Sequence, residues 1–160
     1  VNLMEVVLLI APRFPDIDVD LLKMGAFLHD MGKLDELSYE RDLSYTDEGQ
    51  LLGHALIGVH MLDEKIVQAE ELSGDPIPEE IVLRLKHMIV SHHGEYAYGS
   101  VKLPMTIEAI ALNYLDSMDA RIHSFRQLLL GDANSDSHWT TYQAHLGRKL
   151  FKGDGSGQSQ

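Results

Sequence analysis

The chain has 160 residues, 44% of them hydrophobic and 24% charged, with a formal net charge of −12. That composition is enough for one globular domain with its own core, and the acidic balance excludes a broad basic surface gripping nucleic acid. With no cysteine, disulfides, thiolate metal sites and thiol nucleophiles are excluded, and any metal has to be held by His, Asp or Glu.

Apolar residues recur every three or four positions and nowhere alternate over a sustained stretch, so the fold class expected is all-α, a bundle of about five to six helices. The first helix is expected over Asn2–Ala11, stopped by "PRFPD". The second runs from Val19 to Met31, with Asp18 as N-cap and Gly32 as exit. A polar loop, "KLDELSYERDLSYTDEG", leads to a third helix over Glu48–Glu71, and "SGDPIP" breaks the chain again. The fourth helix spans Glu79–His92, with Pro78 suited to its first turn. A fifth starts at Pro104 and reaches Leu130, and a last short one is expected over His138–Leu150. The tail "GDGSGQSQ", residues 153–160, reads as disordered. No 18-residue apolar run occurs, and the opening "VNLMEVVLLIAP" carries Glu5 and is too short to cross a bilayer. The expectation is a cytoplasmic protein with no membrane partner.

Nine histidines is a high count, and several sit beside acidic groups. His29 and Asp30 end the second helix, His54 lies in the third within "LLGHALIG", His92 and His93 end the fourth, and Asp116 lies in the fifth within "YLDSMDAR". Facing helices of a bundle build metal sites from such contributions, and imidazole with carboxylate suits Mn, Fe or Zn.

The ordered set His-Asp, His, His, Asp resembles the HD-domain metal-dependent phosphohydrolases, named for the doublet seen here as His29-Asp30. "LLKMGAFLHDMGKLDEL", "TDEGQLLGHALIG", "HMIVSHHGEYAYGSVKLP" and "EAIALNYLDSMDAR" together look like the HD domain of the YhaM-type 3′-to-5′ exoribonucleases, and "RKLFKG" fits their C-terminal segment. The resemblance implies an HD domain over residues 1–152 that binds one or two divalent ions through His29, Asp30, His54, His92 and Asp116. It implies hydrolysis of a phosphodiester, with the 3′ end of single-stranded RNA as substrate, nucleoside monophosphates as products and no covalent protein intermediate. The family pattern opens with a further histidine, which Val1–Leu28 lacks. The expectation is that this histidine falls at or just before the first residue, and that an N-terminal OB domain, absent from this sequence, would supply RNA capture.

Asp30 and Lys33 are the expected catalytic pair, Lys33 because an ammonium at a helix exit can hold a phosphate oxygen and offset developing charge. His92 and His93 diverge by about 100° on a regular helix and can share a site only if the helix ends there. Gly94 permits that end, with His93 either a second ligand or a phosphate contact. Asp119 is expected to orient a ligating group, His60 to be structural, and His87 to lie behind the ligands or partly exposed. Arg121, Arg148 and Lys149 are candidate phosphate or base contacts, and Tyr96, Tyr98 and Trp139 candidate stacking surfaces. The alternatives are a cyclic-dinucleotide or nucleotide phosphohydrolase, although "HHGEYAYGSVKLP" departs from the Gly-Tyr-Pro signature of the cyclic-dinucleotide group, and a non-catalytic HD module used for binding.

Overall fold

The computed structural model describes residues 3–38 and 44–153. The chain divides into two compact units, Val1–Ser117 and Met118–Gln160. The first contains α1 (Leu3–Ile10), α2 (Val19–Leu28), the short α3 (Lys33–Glu36), strands β1 (Leu37–Ser38) and β2 (Ser44–Tyr45), α4 (Asp47–Ser73), α5 (Glu79–Ser91) and the start of α6 (Ile107–Leu130). The all-α expectation holds; among the described residues the sheet is one antiparallel ladder pairing Leu37 with Tyr45 and Ser38 with Ser44.

Local chemistry sets these boundaries. The Asp18 carboxylate accepts from the Leu21 amide at 3.0 Å and caps α2 as expected. Thr46 caps α4, its hydroxyl accepting from the Gly49 amide at 2.9 Å. Helix α2 stops at Leu28 rather than Met31 because the ladder tightens to i→i−3 bonds, from Met31 to the Leu28 carbonyl and from Lys33 to the Asp30 carbonyl. The stretch expected as a polar loop therefore begins with α3 and β1.

The core of the first unit is built from helix stripes: Leu21, Leu22 and Ala26 on α2, Leu85, Met88 and Ile89 on α5, and Ala109, Leu112 and Leu115 on α6, with Val7 from α1 and Leu62 from α4. Leu22, Met88, Ile89 and Leu112 are fully buried, each contributing roughly 1.5–3 kcal/mol by leaving water. Glu108, 2% exposed, lies among them. Its carboxylate meets Arg84 of α5 at 2.6 Å and accepts the Asp18 amide at 3.0 Å, so one residue ties three helices.

In the second unit the expected helix over His138–Leu150 does not form. The segment folds back on itself, with antiparallel bridges Trp139–Phe151 and Gln143–Arg148 around a single 3₁₀ turn, Ala144–Leu146. Thr140 explains the outcome. Its amide donates to the Leu150 carbonyl at 2.8 Å and its hydroxyl accepts the Leu150 amide at 2.9 Å, which gives the backbone an alternative to a helix. The expected tail lies outside the described residues from position 154 onward.

Candidate metal centre

The buried stripes of α2 and α5 each end in an imidazole. On α2, His29 extends the run Leu22, Ala26; on α5, His92 extends Leu85, Met88 and Ile89; on α6, Asp116 follows Leu112 by one turn. His29 is 8% and His92 2% exposed, so both sit at the edge of the core rather than on the surface. Each donates from Nδ1 to the carbonyl three residues back, His29 to Ala26 at 2.9 Å and His92 to Ile89 at 2.7 Å. With Nδ1 used this way, Nε2 is the nitrogen left to meet a proton or a metal, and it points into the space between the helices.

His54 arrives from α4 by a different route. Gly53 has φ 73° and ψ 157°, a kink inside α4, in a region essentially closed to residues with a Cβ. The kink takes the His54 amide out of the helical ladder. Glu36 receives it: its Oε1 accepts the His54 amide at 3.0 Å and His54 Nδ1 at 3.2 Å. Glu36 is 8% exposed, so His54 is held by a buried carboxylate that fixes its tautomer and turns Nε2 toward His92 Nε2, 3.4 Å away.

Asp30 joins the three imidazoles. Its Oδ2 lies 3.4 Å from His29 Nε2, and its Oδ1 lies 3.7 Å from His54 Nε2 and 3.8 Å from His92 Nε2. Asp116 Oδ1 is 3.5 Å from His29 Nε2. These spacings are close to the roughly 3 to 3.5 Å between neighbouring donors around an ion bound at about 2.0–2.2 Å. Helix α5 ends at Ser91 and the chain turns at Gly94, φ 81°, which lets His92 and His93 share the site. Their ring centroids are 4.2 Å apart, and ligand atoms of His54, His92 and His93 lie within 4.8 Å of one another. Lys33, the first residue of α3, places Nζ 2.7 Å from Asp30 Oδ2.

Two observations fit a cation. Asp30 Oδ1 is buried and has no hydrogen-bond partner among the described residues, an arrangement that costs about 1–3 kcal/mol or more unless something positive meets it. Protonation follows the same logic. Burial pushes the His29 pKa down, yet Asp116 and Asp30 outweigh it and raise it to about 9. Burial alone would raise both carboxyl pKa values, but His29 and Lys33 hold Asp30 well below the usual range and His29 lowers Asp116. Burial takes His92 down to about 4, and burial and His54 lower His93. The site thus draws a proton onto one imidazole to balance two carboxylates and leaves neighbouring imidazoles neutral. A divalent ion would meet the same charge demand.

Other candidates fall elsewhere. Asp119 is exposed; the orienting role expected of it is filled by the Ala26 and Ile89 carbonyls and by Glu36. His60 is exposed beside Glu64 on α4. His87, partly exposed, accepts the Met105 amide at 2.8 Å. Tyr96 and Tyr98 are exposed, and Trp139 packs on Phe151 with ring centroids 5.0 Å apart. Glu36 escapes sequence reasoning because it lies in a segment expected to be loop; a buried acid two residues into "DELS" leaves no periodic signal.

Imidazoles and carboxylates converging from four helices define a helical domain with a histidine–aspartate donor cluster. The chain belongs to the HD-domain family, whose model matches residues 1–121. Curated relatives include the 3′-5′ exoribonuclease YhaM of Bacillus subtilis (strain 168), 44% identical over 81% of this chain and 39% of the relative. The YhaM exoribonuclease of Bacillus velezensis is 46% identical over 76% of this chain and 37% of its own length, and that of Bacillus licheniformis 43% identical over 81% and 39%. The chain therefore spans about two fifths of these relatives. No solved structure matches it. Among the described residues no helix is long and apolar enough to cross a membrane.

Proposed function

We propose that this chain is the catalytic domain of a metal-dependent phosphodiester hydrolase acting in the cytoplasm, a 3′-to-5′ exoribonuclease that releases nucleoside monophosphates from single-stranded RNA. The observation that carries the reading is the convergence of His29, His54 and His92 Nε2 on the buried, unpartnered Oδ1 of Asp30 and on its Oδ2, with Asp116 beside His29. The similarity to YhaM exoribonucleases supports the choice of RNA. An OB-type domain on the same polypeptide would add strand capture.

His29, Asp30, His54, His92 and Asp116 would hold the ion, with His93 as a further ligand or a phosphate contact. A divalent ion there, Mn, Fe or Zn by its donors, would supply Lewis-acid charge to a phosphoryl oxygen and acidify an attacking water. The ordering comes from the protein. The Ala26 and Ile89 carbonyls and Glu36 fix three imidazoles by their Nδ1 atoms, so that little reorganisation is needed when charge develops. Lys33 Nζ, half exposed beside Asp30, can turn from the carboxylate to a non-bridging phosphate oxygen. Ser91 is no nucleophile: it is fully buried and its hydroxyl donates to the His87 carbonyl at 2.6 Å.

The test is to load the chain with Mn, Fe or Zn and assay single-stranded RNA, cyclic dinucleotides and mononucleotides in parallel, with Asp30→Asn as control. Monophosphates released one at a time from the RNA 3′ end, and lost in Asp30→Asn, are expected. Turnover of cyclic dinucleotides alone would move the substrate, and metal bound without hydrolysis of any phosphate ester would leave a binding module.

A further inference from the structure

The C-terminal unit carries a second feature of chemical interest. On α6, Arg121, Ile122, Phe125, Arg126, Leu129 and Leu130 recur at spacings of three, four and five residues and share one face. With Arg148 they line a cavity of about 510 Å³, within the size range of small-ligand sites. Its floor is apolar, Phe125 and Leu129 being half-buried, and its polar groups are three guanidiniums. The Arg148 guanidinium carbon lies 5.7 Å above the centroid of the Phe125 ring, a cation–π contact.

The charges stand out in a chain of net charge −12. Lys23, Lys33, Lys86, Arg84 and Lys152 are each neutralised by a carboxylate; among the described residues Arg13, Lys65, Lys102 and Lys149 are not, but Arg121, Arg126 and Arg148 are the cations that line this cavity together. Arg121, Arg126 and Arg148 have no acidic partner among the described residues, and Asp132, an acid of the same unit, is occupied by Lys152 and Thr141. Cations left unpaired on one apolar face of an acidic protein are set up for an external anion. The floor narrows the choice of anion, because a planar aromatic with guanidiniums beside it matches a nucleobase joined to phosphates: arginine reads phosphate bidentately and aromatic rings stack on bases without regard to sequence.

We propose that this groove is a binding subsite for single-stranded RNA, with Arg121, Arg126 and Arg148 on the phosphates and a base taking the place over Phe125 that the Arg148 guanidinium holds in the free chain. The proposal rests on the hydrolase reading in taking RNA as the strand. It also deepens that reading, since it adds phosphate contacts to the one that Lys33 can offer beside Asp30.

Binding is measured by fluorescence anisotropy of a labelled oligoadenylate, with EDTA present so that cleavage plays no part. The whole chain is compared with Arg121→Ala/Arg126→Ala/Arg148→Ala. We expect binding to weaken about tenfold or more and the slope of log affinity against log salt to become shallower by about 2, at about 0.7 for each phosphate no longer neutralised. The triple Arg→Lys variant guards against misfolding. It keeps the charge and should retain the salt slope while binding less tightly, because lysine lacks the planar fork. Phe125→Leu, which keeps the floor apolar, should weaken binding roughly fivefold or more by removing the stacking surface. Absence of RNA binding by the parent chain, an affinity and slope unchanged in the triple Ala variant, or loss of oligoglutamate binding with RNA binding intact would each overturn the proposal, the last assigning the groove to an acidic protein segment. Hydrolysis with metal is scored separately. RNA held in the groove but never cleaved refutes the hydrolase reading alone, and cleavage with groove-independent binding refutes this one alone.

Discussion

Glu36 offers the sharpest test of how the donor cluster is held. Its Oε1 accepts both the His54 amide and His54 Nδ1, at 3.0 and 3.2 Å, from a residue 8% exposed. Glu36→Ala removes one charged acceptor and strands two donors, one of them the amide that the Gly53 kink has already withdrawn from the helix. Each unsatisfied buried donor costs about 1–3 kcal/mol. Since the imidazole can turn toward solvent while the amide cannot, the net loss of stability should be about 2–3 kcal/mol. The metal should suffer separately, because groups that hold a ligating histidine are typically worth about 10–100-fold in affinity. Glu36→Gln separates the two effects. Its carboxamide oxygen still accepts the amide, so the melting temperature should largely recover, whereas a neutral acceptor polarises the imidazole less, so Mn affinity should stay below that of the parent. Calorimetric Mn titration alongside thermal unfolding reads both quantities. Parental Mn affinity in Glu36→Ala would refute the account of how His54 is oriented.

Further outcomes follow from neighbouring residues. Lys33→Ala should keep Mn content and lower turnover on RNA, because it removes a donor to phosphate and no ligand; an unchanged rate at saturating substrate would return Lys33 to ordinary surface. Gly53→Ala should cost about 1–3 kcal/mol by forcing a Cβ residue into a glycine-only conformation, with Mn affinity falling alongside, since the kink delivers His54; chemical denaturation and titration together test this. Glu108→Gln should destabilise the fold by about 2 kcal/mol, less than for a fully buried pair because the Arg84 side chain is 26% exposed. Burial raises the Glu108 pKa, but Arg84 and the Asp18 amide outweigh it and lower it. The unfolded chain therefore binds this proton more readily than the native one, and the stabilisation is present above the ordinary glutamate range near pH 4.3 and lost as pH falls through the lowered native value. Glu108→Gln should flatten that acid limb in pH-dependent unfolding, and a parallel loss of stability in both proteins would count against the ion pair.

What could be read from the sequence is what repeats with a period or stands on a motif. The stripes of α2, α5 and α6 run at helical spacing, so the helices and the all-α class follow, and Asp18 marks the start of α2 at the residue where the cap is found. His29, His92 and Asp116 occupy stripe positions. That is why a histidine or aspartate there implies a polar group at the edge of a core, and why their convergence could be expected from the helix map. The fold-back of residues 138–151 could not. Its segments are short, and the Thr140 bonds that decide it link positions ten residues apart, a separation at which local propensity carries no information.

Glu36 and Gly53 show a deeper limit, because each is informative only through the other. A glycine inside "LLGHALIG" reads locally as a modest helix penalty, and a glutamate in "DELS" as surface charge. Together they solve one problem. Bending α4 lets His54 leave the helical track and reach the other imidazoles, but it frees an amide in a partly buried place, where leaving it unpaired is costly. A carboxylate brought in by α3, 18 residues earlier in the chain, supplies the missing acceptor and, through the same oxygen, holds the imidazole. The kink therefore requires the acid, and the acid has a reason to be buried only because of the kink. Removing both should consequently cost less than the sum of the two single losses: in Gly53→Ala, to the extent that the helix straightens, the His54 amide regains a carbonyl partner and no longer needs Glu36. A double-mutant cycle of Gly53→Ala with Glu36→Ala, followed by denaturant unfolding, measures this coupling directly. Strictly additive losses would show that the two residues act independently and that the link drawn here between helix geometry and donor placement is wrong.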